Sequence, residues 1–194
     1  MPKEVLFDEA TALQRATDLF WEKGFNGTSM DELTKATGLS RSSIYNTFGD
    51  KHHLFMRSLE YYQGQQQEEM SAAVKKANSP LKKIQQLFKF AVESTLKDAQ
   101  RKGCLVVNTT TELANMDTEI ADFLLKNMNE MEQVFQELIK DGQKLGEIST
   151  AFPAAALARH LFNTYSGMRV GGKAKPERKA LEDIANVALS VLKK

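Results

Sequence analysis

The chain has one cysteine among 194 residues, Cys104, so no internal disulfide can form, which fits a reducing cytosol. Proline occurs four times and glycine eleven. Between these sparse breaks no segment alternates apolar and polar residues long enough to suggest a sheet. No run of about 18 apolar residues exists, so no membrane-spanning helix is expected. The opening Met1-Pro2-Lys3-Glu4 lacks the basic-then-apolar layout of a secretory signal, and a cytoplasmic protein without membrane contact is expected. Neither charge is in excess: 26 Lys and Arg against 25 Asp and Glu leave a net +1, which excludes a basic nucleic-acid coat over the whole surface. Three histidines and no Glu-x-x-His pair argue against a metal site. His52 and His53 are adjacent, so they are expected on different faces and make a poor ligand pair. A Gly-rich phosphate loop, a nucleophile elbow and an acid–base pair are all missing, so neither enzyme nor cofactor is expected.

What is present is helical periodicity and a local concentration of positive charge. Between Lys35 and Arg57 the cations Lys35, Arg41, Lys51 and Arg57 face Asp50 alone, whereas Asp8, Glu9, Asp18, Glu22, Asp31 and Glu32 precede them. A first helix is expected from Asp8 to Lys23, with Leu13, Ala16, Leu19 and Phe20 on one face and Gly24 as its stop. Thr28 is the expected N-cap of a second helix, Ser29 to Thr37, with Asp31 completing an approximate capping box and Gly38 ending it. Ser40 caps a short third helix to Phe48, and Asp50 caps a long fourth one. Later helices are expected over 80–99, 102–113, 117–141, 152–170 and 176–192. Gly142 with Gly146, and Gly171-Gly172 with Pro176, would mark loops. This pattern predicts an all-α chain of about nine helices. A boundary inside the fourth helix gives a helix-turn-helix domain over 1–54 and a second helical domain over 55–194.

The decisive stretch runs from Thr28 to Phe48. Leu33, Ala36 and Leu39 would pack on Ile44 and Phe48 across the turn at Gly38. The second helix then turns Arg41, Ser42, Ser43, Tyr45, Asn46 and Thr47 outward: one cation, one aromatic and small hydrogen-bonding groups. Such a set suits base edges and phosphates in a major groove. A plain helical hairpin explains the packing equally well but not the absence of any acid from Leu39 to Gly49. Three pieces carry a resemblance: Phe20-Trp21-Glu22-Lys23-Gly24-Phe25-Asn26-Gly27-Thr28-Ser29-Met30, Gly38-Leu39-Ser40-Arg41-Ser42-Ser43-Ile44-Tyr45, and Phe48-Gly49-Asp50-Lys51-His52-His53-Leu54-Phe55. Together they resemble the DNA-binding domain of the TetR family of regulators. One departure is Thr34, where the family usually has alanine; its methyl can pack, but its hydroxyl needs a partner.

The resemblance implies roles for these residues. Thr28 and Ser29 would hold a phosphate at a helix N-terminus, Tyr45 and Lys51 would contact phosphates, and Arg41, Ser42 and Asn46 would reach bases. It also implies a homodimer on a palindromic double-stranded operator. Such regulators repress by default and leave DNA when a small molecule moves the fourth helix; activation instead of repression stays open. The rest of the chain would be the ligand-binding and dimerisation domain, with an effector of unknown identity. Leu157, Leu161 and Met168 on one helix and Leu181, Ile184, Ala188 and Val191 on the last would make a four-helix interface, or would face their own core. The run Gly103-Cys104-Leu105 opening the sixth helix and Glu112-Leu113 closing it resemble a subgroup of the family. Cys104, Asn108 and Thr111 would share a face. Beside Arg101 and Lys102, Cys104 would be either a reactive sensor of an electrophilic or oxidising effector or inert packing. Phe88, Val92, Met131, Phe135 and Tyr165 are candidate pocket walls, with His160 as a polar anchor. A protein-binding module on the same fold is the remaining rival, disfavoured by Tyr45 and Lys51.

Overall fold

The computed structural model describes residues 8–175 and 177–194. The opening tetrapeptide and Pro176, on which two expectations rested, lie outside the described residues. Among the described residues there are nine helices and no strand: α1 (Glu9–Lys23), α2 (Met30–Thr37), α3 (Arg41–Phe48), α4 (Lys51–Val74), α5 (Pro80–Lys97), α6 (Leu105–Leu113), α7 (Thr118–Lys144), α8 (Ala154–Ala174) and α9 (Arg178–Ser190). None is long and apolar enough to cross a membrane. Contacts divide the chain into two units, one up to Gln66 and one from Gln67 onward. This division and the sequence-based one at residue 54 both fall inside α4.

In the first unit the caps set the helices. Asp8 accepts from the Ala10 amide at 3.1 Å and starts α1. At α2 the expected cap is off by one residue. Ser29, not Thr28, is the N-cap, and Glu32, not Asp31, completes the box, its carboxylate accepting from the Ser29 amide at 2.9 Å. The reason is reach: the box needs the third residue after the cap to bend back to the cap's amide, and the longer glutamate arm does so. The Thr34 hydroxyl finds its partner in its own helix, donating to the Asp31 carbonyl at 2.8 Å. Phe20, Leu33, Ile44, Leu54, Phe55 and Leu59 are fully buried, with Phe20 edge-on to Phe55 at 4.9 Å. Ala36 and Leu39 are half-buried at the rim of this core.

The second unit is built on Ile84, Phe88, Phe135, Ile139, Leu161, Met168, Leu181 and Leu192. Two glycine readings are corrected here. Gly171-Gly172 does not end α8, which continues to Ala174. A Cβ on Gly172 would lie 2.2 Å from the Thr95 methyl, so this glycine lets α8 approach α5. Gly142 likewise stays inside α7, where a Cβ would meet Ile148 at 2.4 Å. The sixth helix starts at Leu105 rather than Lys102, because Arg101 (φ 54°) and Gly103 (φ 75°) turn the chain left-handed, and Asp98 accepts from the Gly103 amide at 2.7 Å. Arg178 bridges α9 to α5 through both carboxylate oxygens of Glu93, at 2.6 and 3.1 Å. The stripes expected to form an interface turn inward: Leu157, Leu161, Met168, Leu181 and Ala188 belong to the unit's own core, and Val191 packs against it. Ile184 alone of that set is exposed, at 45%.

Candidate functional site

The outward face of α3 follows from two caps and two anchors. Gly38 (φ 75°, ψ 9°) closes α2 in the left-handed region, where a side chain would be strained. Ser40 starts α3, its Oγ accepting from the Ser43 amide at 3.1 Å. Ile44 and Phe48 bury one side of this eight-residue helix. Arg41, Ser42, Tyr45 and Asn46 are thereby exposed together, with Ser43 and Thr47 half-exposed at the margins. Ser42 and Ser43 also hydrogen-bond Ser40, at 2.9 and 2.8 Å. The Arg41 guanidinium is held from α2, donating through Nη2 to Asp31 Oδ1 at 2.8 Å.

Around this face the flanking candidates differ in what they can offer. Thr28 is 1% exposed, and its hydroxyl donates inward to the Gly24 carbonyl at 2.7 Å. The expected phosphate contact through its side chain is therefore corrected, because the hydroxyl is already used and covered. Ser29 remains exposed at the start of α2, where helix amides and dipole favour an anion. Its cap is fixed by Glu32, whose carboxyl is pulled down to about 2, first by its hydrogen bond to Lys23 and then by those to Ser29. Lys51 opens α4 with Nζ 4.3 Å from the centre of the Phe25 ring. Asp50 caps α4, accepting from the His53 amide at 2.8 Å, and that bond and the His53 ring contact lower its pKa. The expected divergence of His52 and His53 is also corrected. Their rings lie 5.9 Å apart, and with Asp50 they bring three potential ligand atoms within 4.8 Å of one another. Lys51 and the helix N-terminus beside them disfavour a cation electrostatically.

In the second unit Phe88, Phe135 and Tyr165 meet edge-to-face, with ring centres 6.0–6.2 Å apart. Val92 joins the same core, and Met131 packs against it half-buried. Tyr165 donates toward the Met70 sulfur at 4.0 Å. Burial pushes its hydroxyl up to about 12, opposed by Arg169 and reinforced by Cys104, so it is a neutral phenol at pH 7. Cys104 is half-buried at the N-cap position of α6, without a side-chain capping bond. Asn108 fastens the loop before it, donating to the Lys102 carbonyl at 2.8 Å and accepting from Lys173 at 3.4 Å. Thr111 and His160 are exposed. Sequence reasoning missed Arg169, which is only 7% exposed and donates to Ser94. Its position one turn after Tyr165 on α8 was the available signal.

Two family models match the chain. Residues 12–57 match the model of bacterial regulatory proteins of the tetR family, and residues 80–187 match that of the tetracyclin repressor-like C-terminal domain. The chain is similar to an uncharacterized HTH-type transcriptional regulator, YezE, of Bacillus subtilis (strain 168), 29% identical over 96% of both chains. It is also similar to the HTH-type transcriptional repressor DhaR of Mycobacterium sp. (strain GP1), 25% identical over 93% of this chain and 89% of that one. Among solved structures it resembles a cysteine mutant of the TetR family regulator CifR complexed with 26 bp double-strand operator DNA. That likeness has a TM-score of 0.83 at 29% identity, covering 96% of this chain and 97% of the other.

Proposed function

The chain belongs to the TetR family of DNA-binding transcription regulators and is not an enzyme, and on that premise we propose that it is a cytoplasmic repressor released from its operator by a small molecule. The observation that carries the reading is the face of α3, where Arg41, Ser42, Tyr45 and Asn46 stand exposed together on a helix anchored by Ile44 and Phe48. Arg41, Ser42 and Asn46 read bases there. Ser29, Tyr45 and Lys51 fix phosphates, and Ser43 and Thr47 line the edge of the contact.

The repressor acts as a homodimer on a palindrome. Its interface is the exposed face of α8 and α9, where Val170, Ile184 and Val187 are uncovered and Gly167 and Gly171 have open space above them. An effector enters among Phe88, Val92, Met131, Phe135 and Tyr165, and Cys104 gives that site its reactive group toward electrophiles. Release is carried by α4, the helix that belongs to both units.

A footprint on DNA upstream of the chain's own gene tests this, repeated with a thiol-reactive electrophile such as N-ethylmaleimide. A protected palindrome that the electrophile opens for the parent and not for Cys104→Ser is the expected result. No protected site would overturn the repressor reading, and equal release from both proteins would overturn the thiol's part in it.

A further inference from the structure

The stretch from Leu39 to Gly49 contains no acid, yet the fold supplies one to its outer face. Asp31, on α2, reaches across the turn and accepts from Arg41 Nη2 at 2.8 Å. Both side chains are mostly exposed, and ion pairs in water contribute little to stability. The pair is therefore poorly explained as a brace for the fold. The carboxylate is also held in place. Asp31 lies in the first turn of α2, where the Thr34 hydroxyl holds its carbonyl at 2.8 Å and the Ser29–Glu32 box and the Lys23–Glu32 contact fix the N-terminus. A negative group beside a DNA-facing helix repels phosphates, so its value must lie in what it does to Arg41.

We propose that Asp31 is a specificity-determining residue that presets the Arg41 fork for one base edge. The proposal rests on the reading of α3 as the groove-facing helix. A guanidinium carries five N–H donors in a rigid plane. With Nη2 held by Asp31, the plane is fixed before DNA arrives, and its remaining donors meet a guanine edge in the bidentate manner without first being ordered. Free of Asp31, Arg41 swings to the nearest phosphate and becomes a general contact. Asp31 thus trades some total attraction for selectivity, as one charge placed against the wrong partner does.

The test measures affinity for the footprinted operator, for operators altered one base pair at a time, and for random DNA across a salt series. Asp31→Ala should lower the ratio of specific to random binding about tenfold, chiefly at one base pair. Affinity for random DNA should hold or rise. Asp31→Glu should recover part of the ratio, and in an Arg41→Ala background Asp31→Ala should add nothing. If Asp31→Ala melts early, Asp31→Asn keeps the side-chain size and carries the same measurement. An unchanged ratio, tighter operator binding, or the same loss without Arg41 overturns the proposal. If Arg41→Ala itself leaves operator binding intact, the groove-facing reading of α3 fails, which is a separate result.

Discussion

Lys51 shows how one residue's surroundings decide its use. Its ammonium stands 4.3 Å from the Phe25 ring centre at the first turn of α4, where a bound phosphate gains from both the charge and the helix N-terminus. Lys51→Ala should weaken binding to every DNA sequence alike and reduce the salt slope by about one unit. Titrating operator and random DNA at several salt concentrations checks this; a loss confined to the operator would give Lys51 a different role. Glu32 makes a second residue-scale case. Its carboxyl, ordinarily near 4.5, is held at about 2 by Lys23 and Ser29. Because the folded value lies below the unfolded one, the contribution is complete above about 4.5 and is lost as pH falls toward 2. The melting temperature of the parent should therefore drop more steeply between pH 5 and 2 than that of Glu32→Ala. Parallel curves would mean that the box and the Lys23 contact add nothing to the first unit.

At the scale of elements, the helices that sequence places best are those whose ends carry their own chemistry. Ser40, Asp50, Ser79 and Asp117 each supply a cap bond at the start of α3, α4, α5 and α7, and each is visible as a residue type before a periodic run. At α2 the expected cap, Thr28, gives way to the adjacent Ser29: both are cap formers by residue type, and the arm length of Glu32 decides between them. Glycine was the harder signal. Gly38 breaks a helix and Gly172 does not, yet the sequence shows only the letter. What distinguishes them is the backbone at Gly38, with φ 75°, and the partner at Gly172, the Thr95 methyl. Gly172→Ala should consequently cost about 1–3 kcal/mol by overpacking. Gly64→Ala, in open space within α4, should instead gain about 0.5–1 kcal/mol. Urea unfolding of the two variants checks the contrast, and equal losses would mean that Gly172 is not a packing glycine.

For the molecule as a whole, the face of α3 was legible because a short helix has only one way to bury Ile44 and Phe48. The inward turn of Thr28 was not, since its partner is a backbone carbonyl. Nor was the burial of Arg169 legible, since an isolated arginine in a stripe looks like surface. The same limit applied to α9, where apolar residues occur on two faces and the period alone could not say which face meets another chain. The fold separates them: Ala188 is buried in the core of its own unit, whereas its neighbour Val187 is 71% exposed. If the exposed face is the dimer interface, a charge at these adjacent positions should have opposite consequences. Val187→Glu adds a charge that water solvates in the monomer but that a second copy would have to desolvate. It should therefore sediment as a folded monomer with a nearly unchanged secondary structure, and it should lose operator affinity because one head makes half the contacts. Ala188→Glu places the same charge inside the core and should lower the melting temperature before any effect on assembly can be read. Sedimentation with circular dichroism separates the two outcomes. A Val187→Glu protein that remains a dimer with full affinity for a palindrome would move the interface off α9.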